Sequence, residues 1–68
     1  MALIDRIVKN IEIRRKKLGL SVDRLVKKSD VPYPTVAKIR YKKVTDVRIS
    51  TLLALATALE CSVDELLH

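Results

Sequence analysis

Aliphatic side chains recur at the three- and four-residue spacing of an α-helix along most of this chain, and this pattern strongly constrains the fold. Ile4, Ile7, Val8 and Ile11 would form one apolar stripe on a helix. Hydrophobic residues make up 49% of the 68 residues, whereas glycine occurs once and proline twice. Such a chain is too apolar for a disordered segment and too poor in turn formers for a many-stranded β fold. We therefore expect a single all-α domain over residues 1–68.

Capping residues predict where the first three helices begin and end. Gly19 suits the left-handed position that ends a helix, and Ser21 suits the N-cap of the next. Pro32 and Pro34 fit the first turn of a third helix, because their missing N–H groups cost little there. The expected spans of these helices are about 3–17, 22–28 and 32–40.

The last two helices are expected at about 48–59 and 63–67. Asp46 can cap the fourth helix, and Ser62 with Glu65 has the spacing of a capping box for the fifth. The fourth helix is the most apolar, so we expect it to be the centre of the core. Its apolar residues are Ile49, Leu52, Leu53, Leu55, Ala56 and Leu59.

Charge is distributed unevenly along the chain. Fourteen Lys and Arg against eight Asp and Glu give a formal net charge of +6. All fourteen cations lie between Arg6 and Arg48 among four acids, and the segment after Arg48 has only acids. A basic front and an acidic back are expected of a protein that meets a polyanion with one side. Charge alone favours nucleic acid over an anionic membrane or a merely solvated basic surface.

Several classes of function are disfavoured by what the chain contains. Cys61 is the only cysteine and His68 the only histidine, so we expect no disulfide, no metal site and no catalytic triad. A single glycine cannot build a glycine-rich phosphate loop, and no apolar run reaches the ~20 residues that span a bilayer. We therefore expect a cytoplasmic binding protein that needs no cofactor, rather than an enzyme or an exported protein.

The ordered set of motifs resembles the Cro/repressor-type helix-turn-helix proteins of phages and bacteria, the xenobiotic-response-element family. The similarity covers residues 4–67. It rests on the segments 15–21 (RKKLGLS), 51–59 (TLLALATAL) and 62–67 (SVDELL), and on five residues between the first two segments: Leu25, Val31, Thr35, Val36 and Ile39. The resemblance implies a compact five-helix, lambda-repressor-like domain. It also implies a nucleoid-associated transcriptional regulator that represses by binding double-stranded DNA, as a homodimer formed through the C-terminal helices.

The resemblance also implies which residues contact DNA. The third helix would lie in the major groove, with four base-facing residues: Tyr33, Pro34, Ala37 and Lys38. Phosphates would be met by Arg15, Ser21, the backbone N–H of Val22, Tyr41, Lys42 and Lys43. The chemistry of these side chains leaves alternatives open. Lys38 can donate to guanine O6 and N7 or to a phosphate, and Arg15 can instead pair with Glu12 or Asp23.

Departures from the family pattern support a second hypothesis. Val22 stands where members often have Gln, and Asp30 stands where the turn often has Gly. A chain with these changes can also be an antitoxin-like or scaffold module that grips a partner protein, with DNA binding secondary.

Overall fold

Five helices follow one another in the computed structural model, which describes residues 2–68. They are α1 (Leu3–Lys17), α2 (Val22–Ser29), α3 (Tyr33–Arg40), α4 (Ile49–Ala58) and α5 (Val63–Leu67). No strand occurs in this part of the chain. The all-α, five-helix fold predicted from the aliphatic periodicity is therefore confirmed.

The first four helices are each followed by a residue in the left-handed region of backbone conformation. These residues are Gly19 (φ 69°), Asp30 (φ 59°), Lys42 (φ 56°) and Glu60 (φ 58°). Gly19 occupies the position predicted for it, and glycine adopts this conformation without steric cost. The other three residues carry a Cβ atom there, which costs free energy, although Asp tolerates the conformation better than most residues.

Two serines fix the ends of α2. The Ser21 hydroxyl accepts a hydrogen bond from the Arg24 N–H at 3.1 Å, so Ser21 is the N-cap expected from the sequence. Ser29 is buried at the other end, where its hydroxyl donates to the Val26 carbonyl at 3.4 Å and accepts from the Val31 N–H at 3.3 Å. These bonds close the tight turn that leads from α2 into α3.

The starts of α3 and α4 differ from the sequence prediction. Pro32 is the N-cap of α3 rather than its first residue, so the helix begins at Tyr33. The prediction that Asp46 caps α4 is wrong, because the N-cap is Arg48 and no side chain caps this helix. Asp46 lies two residues too early along the chain to meet the free N–H groups of the first turn.

The core is formed where α1 packs on α3 and α5, α2 packs on α3 and α4, and α4 packs on α5. Its largest fully buried side chains are Leu25, Val36, Leu55, Leu59 and Leu66. Two residues expected in the core are not there: Ile49 is 68% exposed and Leu53 is 57% exposed. No helix within residues 2–68 is long and apolar enough to cross a membrane.

Side chains of α1 and α5 connect the two ends of the chain. The Asn10 amide donates to the Leu66 carbonyl at 2.9 Å, and Arg14 pairs with Glu65 at 3.2 Å. Ser62 and Glu65 exchange the two hydrogen bonds of a capping box, at 3.1 and 3.2 Å, as the sequence predicts. The C-terminal helix is thus fixed against the N-terminal one.

Candidate nucleic-acid interface

Helix α3 buries one side and exposes the other. Val36 and Ile39 face the core, so the opposite side of the helix is turned to solvent. With its side chains an α-helix is about 10–12 Å across, so the exposed side of α3 has the dimensions to enter the DNA major groove, which is about 12 Å wide. The solvent side carries the four residues that we call the base-facing row: Tyr33, Pro34 and Lys38, which are exposed, and Ala37, which is half-buried.

The N-terminal turn of α3 offers few backbone donors. Pro34 has no N–H, and the N–H groups of Thr35 and Val36 donate to the Pro32 carbonyl at 3.0 and 3.1 Å. A free helix N-terminus would normally present several N–H groups to a phosphate. Few groups other than side chains are therefore available in the first turn of α3 to contact a ligand.

A shallow groove runs between α3 and the segment that leads into α4. Lys38 lines it from α3, and Asp46, Val47 and Arg48 line it from the other side. Neither Lys38 nor Arg48 forms an ion pair with any residue of the described chain, 2–68. Sequence analysis did not single out Arg48, although its place as the last cation before the acidic C-terminal segment was visible.

A carboxylate on α1 holds two guanidinium groups from different helices. Arg15 donates to Glu12 through Nε at 2.8 Å and through Nη2 at 3.2 Å. Arg40, the last residue of α3, donates to the same carboxylate through Nη2 at 3.0 Å. We call these three residues the Glu12 cluster. The cluster links α1 to α3 by contacts between residues 28 positions apart in the sequence.

The Glu12 cluster is largely shielded from water. The side chains of Glu12, Arg15 and Arg40 are 22%, 14% and 26% exposed. Hydrogen bonds from Arg15 and Arg40 outweigh the opposing effect of burial and hold the pKa of Glu12 at about 2, against an ordinary value of 4.5. The hydrogen bond to Glu12 raises the pKa of Arg15 as well. The carboxylate therefore stays ionised throughout the physiological range.

Arg15 connects this cluster to the start of α2. Its Nη1 donates to the Leu20 carbonyl at 2.8 Å, one residue before the predicted phosphate contacts Ser21 and Val22. The ion pair with Glu12 that the sequence left open as an alternative is the one the structure contains. Arg15 and Glu12 together thus connect the C-terminal half of α1 to the beginning of α2 and to the end of α3.

The other predicted phosphate contacts follow α3. Lys42 pairs with Asp5 of α1, with 2.7 Å between Nζ and Oδ1, and this hydrogen bond lowers the pKa of Asp5. The Lys43 N–H donates to the Lys38 carbonyl at 2.8 Å, and the Lys43 side chain is exposed. Tyr41 is exposed beside Arg40, whose guanidinium carbon lies 5.9 Å from the centre of the Tyr41 ring.

No three His, Cys, Asp or Glu residues within residues 2–68 come close enough together to hold a metal ion. Cys61 is half-buried, and burial raises the pKa of its thiol above the ordinary value. A raised pKa lowers the thiolate fraction and with it the reactivity of the sulfur. Cys61 is a packing residue in this fold.

Two short helices joined by a tight turn, with the second turning an exposed row of side chains outward on a basic surface, define a helix-turn-helix DNA-binding protein. The sequence profile of the Cro/C1-type HTH DNA-binding domain matches residues 10–68, and the chain belongs to this family. The match includes α2 to α5 and the second half of α1. Neither the curated proteins nor the solved structures that were searched contain a significant match to this chain.

Proposed function

We propose that this protein is a sequence-specific transcriptional repressor that places α3 in the major groove of duplex DNA. The base-facing row is the observation that carries the proposal, because an exposed, cation-bearing row on the second helix of a helix-turn-helix is the element that meets base edges. The protein would act in the cytoplasm, at the bacterial nucleoid. The role is binding rather than catalysis.

The base-facing row would read the bases, and the residues around it would bind the phosphates. Lys38 and Tyr33 would contact base edges through polar groups, while Pro34 and Ala37 would meet thymine methyl groups. Tyr41, Lys43, Ser21 and the Val22 N–H would set position by contacting phosphates. Arg15 and Lys42 already pair with Glu12 and Asp5, so each would have to contact a phosphate in addition to its carboxylate partner.

A second copy of the chain would complete the interface. The longest dimension of the domain is 26 Å, whereas successive major grooves on one side of the duplex are about 34 Å apart. One domain therefore cannot reach both. Ile49 and Leu53 are four residues apart on α4 and both exposed, in a C-terminal segment without Lys or Arg. We propose that this surface of α4, with α5, forms the seam of a two-fold homodimer.

Selection from random duplexes tests the proposed function. The wild-type chain should enrich an approximately palindromic motif. Lys38→Ala should lose preference at one base pair of each half-site and cost about 1–3 kcal/mol of binding free energy. Lys9→Ala, which removes an exposed lysine of α1, is the matched control and should keep the motif. Weak, salt-sensitive binding without any motif would instead favour the protein-interaction alternative.

A further inference from the structure

We propose that Arg40 binds a phosphate of the DNA backbone, with its guanidinium positioned by Glu12. This inference rests on the proposed DNA-binding function and adds a contact to it. Arg40 was not among the residues that the family resemblance assigned to phosphates. Its new role follows from the hydrogen bonds of the Glu12 cluster, from its position on α3 and from its contact with Tyr41.

The Glu12 cluster contains more donors than acceptors. Two guanidinium groups share one carboxylate, so the cluster keeps a net charge of +1. Arg15 directs three N–H groups to acceptors, at Glu12 and at the Leu20 carbonyl. Arg40 directs only Nη2 to one. The cluster can therefore accept one more anion at Arg40.

The two nitrogen atoms of the Arg40 guanidinium that lack an acceptor, Nε and Nη1, differ in their exposure to solvent. Nε is buried and has no acceptor among residues 2–68, so the stem of the side chain is enclosed by protein. Nη1 also lacks an acceptor in the described chain but is not among its buried atoms, so it is open to solvent. The guanidinium thus presents one edge to Glu12 and another to an incoming phosphate oxygen.

Position 40 lies at the edge of the base-facing row. On a helix, residue 40 is the neighbour of residues 33 and 37, at spacings of seven and three, and lies on their α1 side. A helix inserted in the major groove has base edges in front of it and sugar-phosphate strands on either side. Arg40 therefore occupies the position of a strand contact, beside Tyr33 and Ala37.

The side chain of Arg40 is ordered before any DNA arrives. Glu12 holds one end of the guanidinium, and the Tyr41 ring lies 5.9 Å from its central carbon. A free surface arginine would lose rotamer freedom on binding a phosphate, and a preordered one loses less. Glu12 thus acts as a positioning residue for Arg40, although its own charge opposes that of DNA.

Salt dependence of duplex binding tests this inference. Loss of one phosphate contact should reduce the slope of log K against log salt by about 0.9 per bound subunit. Arg40→Ala should show this reduction. Arg14→Ala, which removes the same charge from the surface next to Glu65, is the matched control and should leave the slope unchanged. Circular dichroism confirms that each variant is folded, and equal slope changes in the two variants would overturn the inference.

Side-chain NMR of the wild-type protein provides a measurement that needs no variant. The ¹⁵N resonance of Arg40 Nε should shift on saturation with a duplex and should not shift with inorganic phosphate alone at matched ionic strength. If α3 amide resonances move with duplex while Arg40 does not, the inference is wrong and the proposed function stands. A response to inorganic phosphate but not to duplex also overturns it. If no resonance responds to duplex, the proposed function itself fails and Arg40 loses its role with it.

Discussion

Glu12 connects the ion pairs within the fold to the proposed DNA-binding surface. Its carboxylate neutralises part of the charge on Arg15 and Arg40, and it does so from within a largely shielded position. Exposed ion pairs contribute little to stability, because water screens them. A shielded carboxylate with three charge-assisted hydrogen bonds contributes more, since removing it leaves two guanidinium groups without their shared acceptor.

Glu12→Gln should therefore destabilise the protein in a way that depends on pH. Because the pKa of Glu12 is lowered from 4.5 to about 2 by folding, its contribution is complete above pH 4.5 and is lost as the pH falls towards 2. We expect the variant to lose about 1–2 kcal/mol at pH 7. Urea unfolding at a series of pH values measures the difference between variant and wild type, which should shrink with acidification.

Glu60→Gln is the control for this prediction. Glu60 pairs with Lys28 at 3.3 Å, but both side chains are well exposed. Its replacement should change stability by less than about 1 kcal/mol at any pH. A Glu12→Gln deficit that stays constant down to pH 2.5 would show that packing, not the carboxylate charge, is responsible.

At the scale of elements, the turn between α2 and α3 depends on a left-handed aspartate. Asp30 follows α2 with φ 59°, and its N–H donates to the Val26 carbonyl at 2.9 Å. Asp30→Gly removes the steric cost of this conformation, whereas Asp30→Ala keeps the Cβ atom and loses the tolerance of Asp. Both substitutions remove the same charge.

We expect Asp30→Gly to be more stable than Asp30→Ala by about 1 kcal/mol, measured as the difference in free energy of unfolding in urea. The DNA affinity of Asp30→Gly should be at least that of wild type, because the turn geometry is kept and a negative charge is removed. Equal stabilities of the two variants would mean that the left-handed backbone is not the dominant constraint at this turn.

Short-range signals in the sequence predicted the helices well, and long-range pairing was not predictable. Gly19 and Ser62 act through neighbours a few residues away, so their capping roles could be recognised from spacing. The contacts of Glu12 with Arg40 and of Asp5 with Lys42 join residues 28 and 37 positions apart, and both require the finished fold. The sequence placed Lys42 on the surface without indicating that α1 holds it.

The exposure of Ile49 was also not predictable from the sequence, but the reason is not long-range pairing. Helical periodicity gives the angle of a side chain around the axis, but it does not give how far the neighbouring helices extend along that axis. Ile49 is the first residue of α4, where the rest of residues 2–68 leaves most of its surface exposed. The base-facing row was predictable as a set because Val36 and Ile39 fixed which side of α3 is buried.

At the scale of the whole molecule, the exposed pair Ile49 and Leu53 on α4 gives a test of the proposed homodimer. Leu53→Glu should weaken dimerisation at least tenfold, because burying an aliphatic side chain contributes about 1.5–3 kcal/mol and a buried unpaired charge adds a penalty. Sedimentation equilibrium measures the dissociation constant. Ile13→Glu, a similarly exposed aliphatic residue on α1, is the control and should leave association unchanged. A Leu53→Glu protein that still dimerises like wild type would place the seam elsewhere.

The prolines around Tyr33 have a consequence for how this domain can be modified. Because Pro34 supplies no N–H and the N–H groups of Thr35 and Val36 are bound to the Pro32 carbonyl, the proposed DNA contacts of the first turn of α3 depend little on the main chain. If Tyr33 and Lys38 read bases as proposed, substitutions there should exchange one base preference for another and leave the backbone contacts unchanged. On the proposed function, changes in only a few side chains of α3 should therefore be enough to direct this domain to a new DNA sequence.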